Sequence, residues 1–109
     1  MHKWSVEVRI LSPGEHAQSV RSNFETWFVP DGTDLVFRSP LAPESSITDQ
    51  LKWFHSMLEF HRKFIRKLEA SGVEMVVRIS LRGRTLMIEP EALLLAHQLH
   101  LKTEIEFRS

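Results

Sequence analysis

Six histidines, fourteen carboxylates and no cysteine are the groups from which this 109-residue chain could build chemistry. His97 and His100 are three apart, and His55 and His61 lie in one helical stretch, but neither pair has a carboxylate or third histidine at a metal-ligand spacing. No metal or cofactor is expected. His61 sits between Phe54 and Leu68 at the margin of an apolar stripe, where a histidine bonded to a backbone carbonyl is the simpler reading and pH sensing the minor one. Ser12, Ser39, Ser45, Ser46 and Ser71 occupy turn or cap contexts, and the G-x-S-x-G nucleophile turn is absent. Glu89 and Glu91 suit a helix start, and Glu104 and Glu106 the outer face of a strand. The four glycines, at 14, 32, 72 and 83, are too dispersed for a phosphate-cradling loop. An enzyme is therefore the disfavoured class.

The elements that would position these groups follow from periodicity. Trp4, Val6, Val8 and Ile10 alternate with Ser5, Glu7 and Arg9 as in a strand with one wet face. Residues 24–38 read as a hairpin about Pro30-Asp31-Gly32-Thr33, with Phe24–Val29 as its first strand and Leu35–Arg38 as its second. Residues 39–46 are a proline-punctuated connection. Ile47–Ser71 reads as one long helix, opened by Ser46 with Asp49 three residues on and closed by Gly72.

Val73–Leu81 alternates again, and Arg82-Gly83 suits a two-residue turn into a strand over Thr85–Ile88. Pro90 begins a short apolar helix. A last strand follows, with Leu101, Thr103, Ile105 and Phe107 inward and Lys102, Glu104, Glu106 and Arg108 outward. The order β-ββ-α-ββ-α-β predicts a single α+β domain over 1–109: a two-layer sandwich with a mostly antiparallel sheet of five to six strands and two helices on one face. Glu7, Arg9, Arg78, Ser80, Lys102, Glu104 and Glu106 should share the open face.

Two features bear on partners. Along Ile47–Ser71, Ile47, Leu51, Phe54, Leu58, Ile65 and Leu68 make one stripe, and Trp53, Met57, Phe60 and Phe64 make a second that widens the apolar arc beyond what one sheet covers. Either residues 12–46 fold over this second stripe or another chain does, as a separate partner or as a second copy in a homodimer; Trp53, Met57, Phe60 and Phe64 are the candidate interface. The balanced total of 14 basic and 14 acidic residues also conceals a basic block at 51–88, where Lys52, Arg62, Lys63, Arg66, Lys67, Arg78, Arg82 and Arg84 face only Glu59, Glu69 and Glu74. These charges are either paired locally or, as Lys52, Arg62, Lys63, Arg66, Lys67, Arg82 and Arg84, form a basic partner-binding face. Nucleic acid is a disfavoured partner, because the total charge is zero, tyrosine is absent and the helix aromatics lie opposite the lysines. A nucleic-acid-binding or small-ligand-binding module on the basic face is the alternative.

The pattern of a long helix, the Val73–Leu81 hairpin, Ile88-Glu89-Pro90-Glu91-Ala92-Leu93-Leu94-Leu95-Ala96 and Leu101–Phe107 resembles small bacterial domain families of unknown function whose members often resemble immunity proteins of toxin systems. The resemblance spans residues 45–107. It implies a protein that works by binding another protein, a toxin in the immunity case, and carries no catalytic residue. Charges interrupt every apolar run, so neither a signal peptide nor a membrane span is expected, and the cysteine-free chain suits the cytoplasm.

Overall fold

The structure is a computed structural model and describes residues 4–24, 27–41, 44–82 and 88–108. The five strands are β1 (Trp4–Leu11), β2 (Val29–Asp31), β3 (Asp34–Arg38), β4 (Glu74–Arg82) and β5 (Lys102–Arg108). They form one sheet in the order β2-β3-β1-β4-β5. Every pairing is antiparallel except that of β4 with β5. The helices are α1 (Ala17–Phe24), α2 (Ile47–Phe60), α3 (Arg62–Ala70) and α4 (Pro90–Gln98). This is the expected two-layer α+β arrangement, with more helix than the sequence pattern suggested.

The alternation of β1 and β4 sets the two faces. Val6, Val8 and Ile10 stand opposite Ile79, Val77 and Met75 and join Val20 and Phe24 of α1, Leu51, Phe54 and Leu58 of α2, Ile65 and Leu68 of α3, and Ala92 and Ala96 of α4 in a single core. Burial of these side chains is the main stabilising term. Ser46 begins α2 as expected, its Oγ accepting from the backbone N–H of Asp49 at 3.0 Å. Gly72, at φ 87°, takes the left-handed position that closes α3.

Four expectations need correction. Phe24–Val29 is not a strand: Ala17, Val20 and Phe24 follow a helical period, α1 buries Val20 and Phe24, and only Val29–Asp31 is extended. The hairpin turn itself is where it was expected, with Val29 paired to Val36 and Asp31 to Asp34. The long helix is two helices that part at His61, whose φ of −106° and ψ of 20° leave the helical region. Its N–H bonds to the Leu58 carbonyl in a tightened turn, and its ring lies 4.3 Å from that of Phe24.

The third correction concerns the hairpin at Arg82-Gly83. Its turn and most of its return strand fall at 83–87, outside the described residues, and both sides of β4 are already taken by β1 and β5. The chain instead crosses over through α4 to reach β5 in parallel, as parallel pairing requires.

The fourth concerns exposure. Glu7, Arg9, Arg78 and Ser80 share the face away from the helices as expected, yet Glu7, Arg9 and Ser80 are buried, as are Val36 and Val76 on either side of Arg9 in the register. Arg9 donates to Glu7 at 2.9 Å, to Asp31 at 2.8 Å and to Asp34 at 3.3 Å, so the buried cation is paired within the face. Burial alone would lower the pKa of this guanidinium, but its hydrogen bonds to Asp31, Glu7 and Asp34 outweigh that and hold it above the ordinary arginine value. With the folded pKa raised, its contribution to stability is complete through neutral pH and lost only in strong alkali.

Candidate interaction surface

The second apolar stripe divides when the chain folds. Trp27 and Phe28, in the connection after α1, bring the N-terminal third of the chain over α2. Trp53 packs on Trp27 at 5.4 Å and on Phe37 at 5.3 Å between ring centroids, and Phe64 lies 5.9 Å from Phe24. Trp53, Met57 and Phe64 are partly buried against the core. Phe60 is left out: its side chain is 85% exposed, and its aromatic neighbour is the edge of the adjoining His61 ring at 5.2 Å.

The basic face divides as well. Lys52 pairs with Glu91 at 3.5 Å and Arg62 with Glu59 at 2.7 Å. Lys63, Arg66 and Lys67 are exposed on α3, immediately after Phe60. Arg82 shares the parity of Arg78 and Ser80, which puts it on the sheet face away from α3. Arg84 lies outside the described residues. The structure therefore leaves Phe60 exposed at the end of α2 and Arg62, Lys63, Arg66 and Lys67 exposed along α3, and does not join the strand arginines to them.

Beside this group an open cleft of about 220 Å³ is lined by His55, Glu59, Arg62 and Arg66 from one side and Gln98, Leu99 and His100 from the other. His100 takes a left-handed φ of 58° just past α4, which turns the chain towards β5. His55 and His100 thus line one cleft, a juxtaposition that neither sequence spacing suggested. Among the described residues no group of three or more His, Asp or Glu could hold a metal ion.

A second exposed set escaped sequence reasoning. Ile105 and Phe107 stand opposite the buried Ile79 and Leu81 on the helix-side face, as alternation requires, but are 40% and 74% exposed. Their parity was legible. Their exposure depends on β5 being the last strand of the sheet, which only topology reveals. Leu93 and Leu94 of α4 are also exposed. On the other face Arg78 donates from Nε and Nη2 to Glu104 at 3.2 and 3.0 Å, and Lys102 pairs with Glu74 at 3.7 Å.

Comparison of the chain with protein-family models, curated proteins and solved structures gives no match in any of the three. Among the described residues no helix is long and apolar enough to cross a membrane.

Proposed function

We propose that this chain is a non-catalytic protein-binding domain that docks an acidic polypeptide surface through Phe60 and the basic side chains next to it. The observation that carries the reading is Phe60 itself, 85% exposed while Trp53, Met57 and Phe64 beside it are drawn into contact with the core. An exposed ring with arginine close by has the composition of a binding hot spot, in which a few aromatic and arginine anchors supply most of the affinity. Arg62, Lys63, Arg66 and Lys67 add a positive field that favours acidic partners and speeds their encounter.

The resemblance of residues 45–107 to immunity-protein-like families supports the same reading and makes a bacterial toxin the partner to test first. A cysteine-free chain fits action in the cytoplasm. The test is a photo-crosslinking amino acid placed at position 60 and, as a control, at exposed Gln18 on α1, in the cells that produce the protein. A discrete polypeptide adduct from position 60 alone is expected. Adducts to nucleic acid, or the same adducts from both positions, would overturn the reading.

A further inference from the structure

The two edges of the sheet are built differently. β2 is three residues long and contains Pro30, which has no N–H to donate, so that edge is a poor template for another strand. β5 is seven residues long, has no proline, and keeps an unbroken register with β4 from Lys102 to Arg108, free of any bulge. Among the described residues no strand lies on its outer side. Ile105 and Phe107 are the apolar side chains on its helix-side face, and they are exposed where their β4 neighbours Ile79 and Leu81 are buried. An edge of this kind recruits another strand.

We infer that β5 pairs antiparallel with β5 of a second copy of this chain, extending the two sheets into one about a two-fold axis at Glu104. A two-fold axis normal to the sheet keeps both helical layers on one side and makes side chains of like parity face each other, so a single residue must stand opposite itself. With Glu104 at the axis, Lys102 faces Glu106 of the second copy on one side of the axis and Glu106 faces its Lys102 on the other. Thr103 meets Ile105, and Leu101 meets Phe107. The one like-charge contact, Glu104 against Glu104, is offset within each chain by Arg78, which holds that carboxylate through two hydrogen bonds.

Moving the axis to Ile105 sets Glu104 against Glu106 twice. Moving it to Thr103 leaves only residues 102–104 paired and takes Phe107 beyond the strand. The charge pattern of β5 is complementary to itself with the axis at Glu104 and also with it at Glu106, where Glu104 faces Arg108; the first register keeps Lys102 within the pairing and places at the axis the carboxylate that Arg78 holds through two hydrogen bonds. This surface is separate from Phe60, so a dimer here and a partner there stand or fall independently.

The chain has no native cysteine, which makes a cysteine scan clean. Residues directly opposite in an antiparallel pair are about 4.5–5.5 Å apart at Cα, within the range a disulfide spans. Thr103→Cys, Glu104→Cys and Ile105→Cys are oxidised in turn and read on a non-reducing gel, with sedimentation of the unmodified chain alongside. A concentration-dependent dimer is expected, with the disulfide-linked species strongest for Glu104→Cys. A chain that stays monomeric into the millimolar range overturns the proposal, as does a dimer that crosslinks best at 103 or 105 or at none of the three.

Because Glu104→Cys also removes the partner of Arg78, a second measurement uses charge alone. Lys102→Glu and Glu106→Lys should each be monomeric, and an equimolar mixture of the two should dimerise, since both contacts between positions 102 and 106 then join unlike charges. Dimers in either variant alone, or none in the mixture, would refute the register.

Discussion

Trp27 lies against Trp53 with ring centroids 5.4 Å apart and planes tilted by 40°, joining the segment after α1 to the outer side of α2. This contact divides the apolar arc of α2: residues on its near side become core, and Phe60 is left to solvent. Trp27→Ala should therefore cost about 2 kcal/mol in urea-induced unfolding, less than a fully buried aromatic would because Trp27 is 38% exposed. No change in the midpoint would mean that the N-terminal segment is not a structural cover.

Phe60→Glu should leave stability within about 0.5 kcal/mol of the parent. Leu58→Glu, two residues away on the buried side, should prevent folding by placing a charge in the core. Thermal melts followed by circular dichroism separate the two. A Phe60→Glu protein that melts as badly as Leu58→Glu would show that the ring at 60 is core.

Arg9→Met removes the cation on which buried Glu7 depends and should destabilise the fold by about 3 kcal/mol. Adding Glu7→Leu should recover more than half of that loss, because the stranded carboxylate has gone with its partner. Chemical denaturation of the single and double variants measures both. A double variant no better than the single would place the cost with Asp31 and Asp34 instead.

Ser46→Ala deletes the hydroxyl that accepts from the Asp49 N–H and should cost about 1 kcal/mol, by loss of an N-cap. Amide exchange in the first turn of α2 should quicken more than that of β4, whose central position ties it to global unfolding. Uniform acceleration across the domain would show that the cap acts on global unfolding alone.

Nucleic-acid affinity should be weak at physiological ionic strength and fall further with salt, because Arg82 and the α3 cations address opposite faces and cannot follow one phosphate backbone. Titration with labelled RNA and DNA at two salt concentrations tests this. Submicromolar binding that is lost when Arg62, Lys63 and Arg66 become serine would reverse it.

The parts of the fold that local chemistry dictates were legible in sequence. Ser46, Gly72 and Pro90 punctuate helices through capping and φ preferences that act within one turn, and alternation gave the parity of β1, β4 and β5. Contacts between distant segments were not legible. Phe24 and Phe28 fit both a strand and a helix followed by a turn, and packing of Phe24 on Phe28, His61 and Phe64 selects the helix. The break at His61 has no proline or glycine to announce it. Of the candidate interface, Trp53, Met57 and Phe64 could not be separated from Phe60 by spacing, since their burial depends on Phe24, Trp27 and Phe37 far away in the chain.

The place of β1 in the middle of the sheet governs how this chain reaches its native state. Val8 stands opposite Phe37 on one side and Val77 on the other, and more than half the chain lies between Val8 and Val77. The β1–β3 ribbon can zip earlier, because it closes the shorter of the two loops; the β1–β4 ladder must wait until α2 and α3 have been made. On a ribosome the central strand would emerge before the other four and remain half-paired until β4 is synthesised, with Val6, Val8 and Ile10 open to solvent or to another nascent chain. Slow steps in refolding should therefore track the arrival of β4, and a chaperone that shields β1 during that interval would raise the yield without altering the final stability.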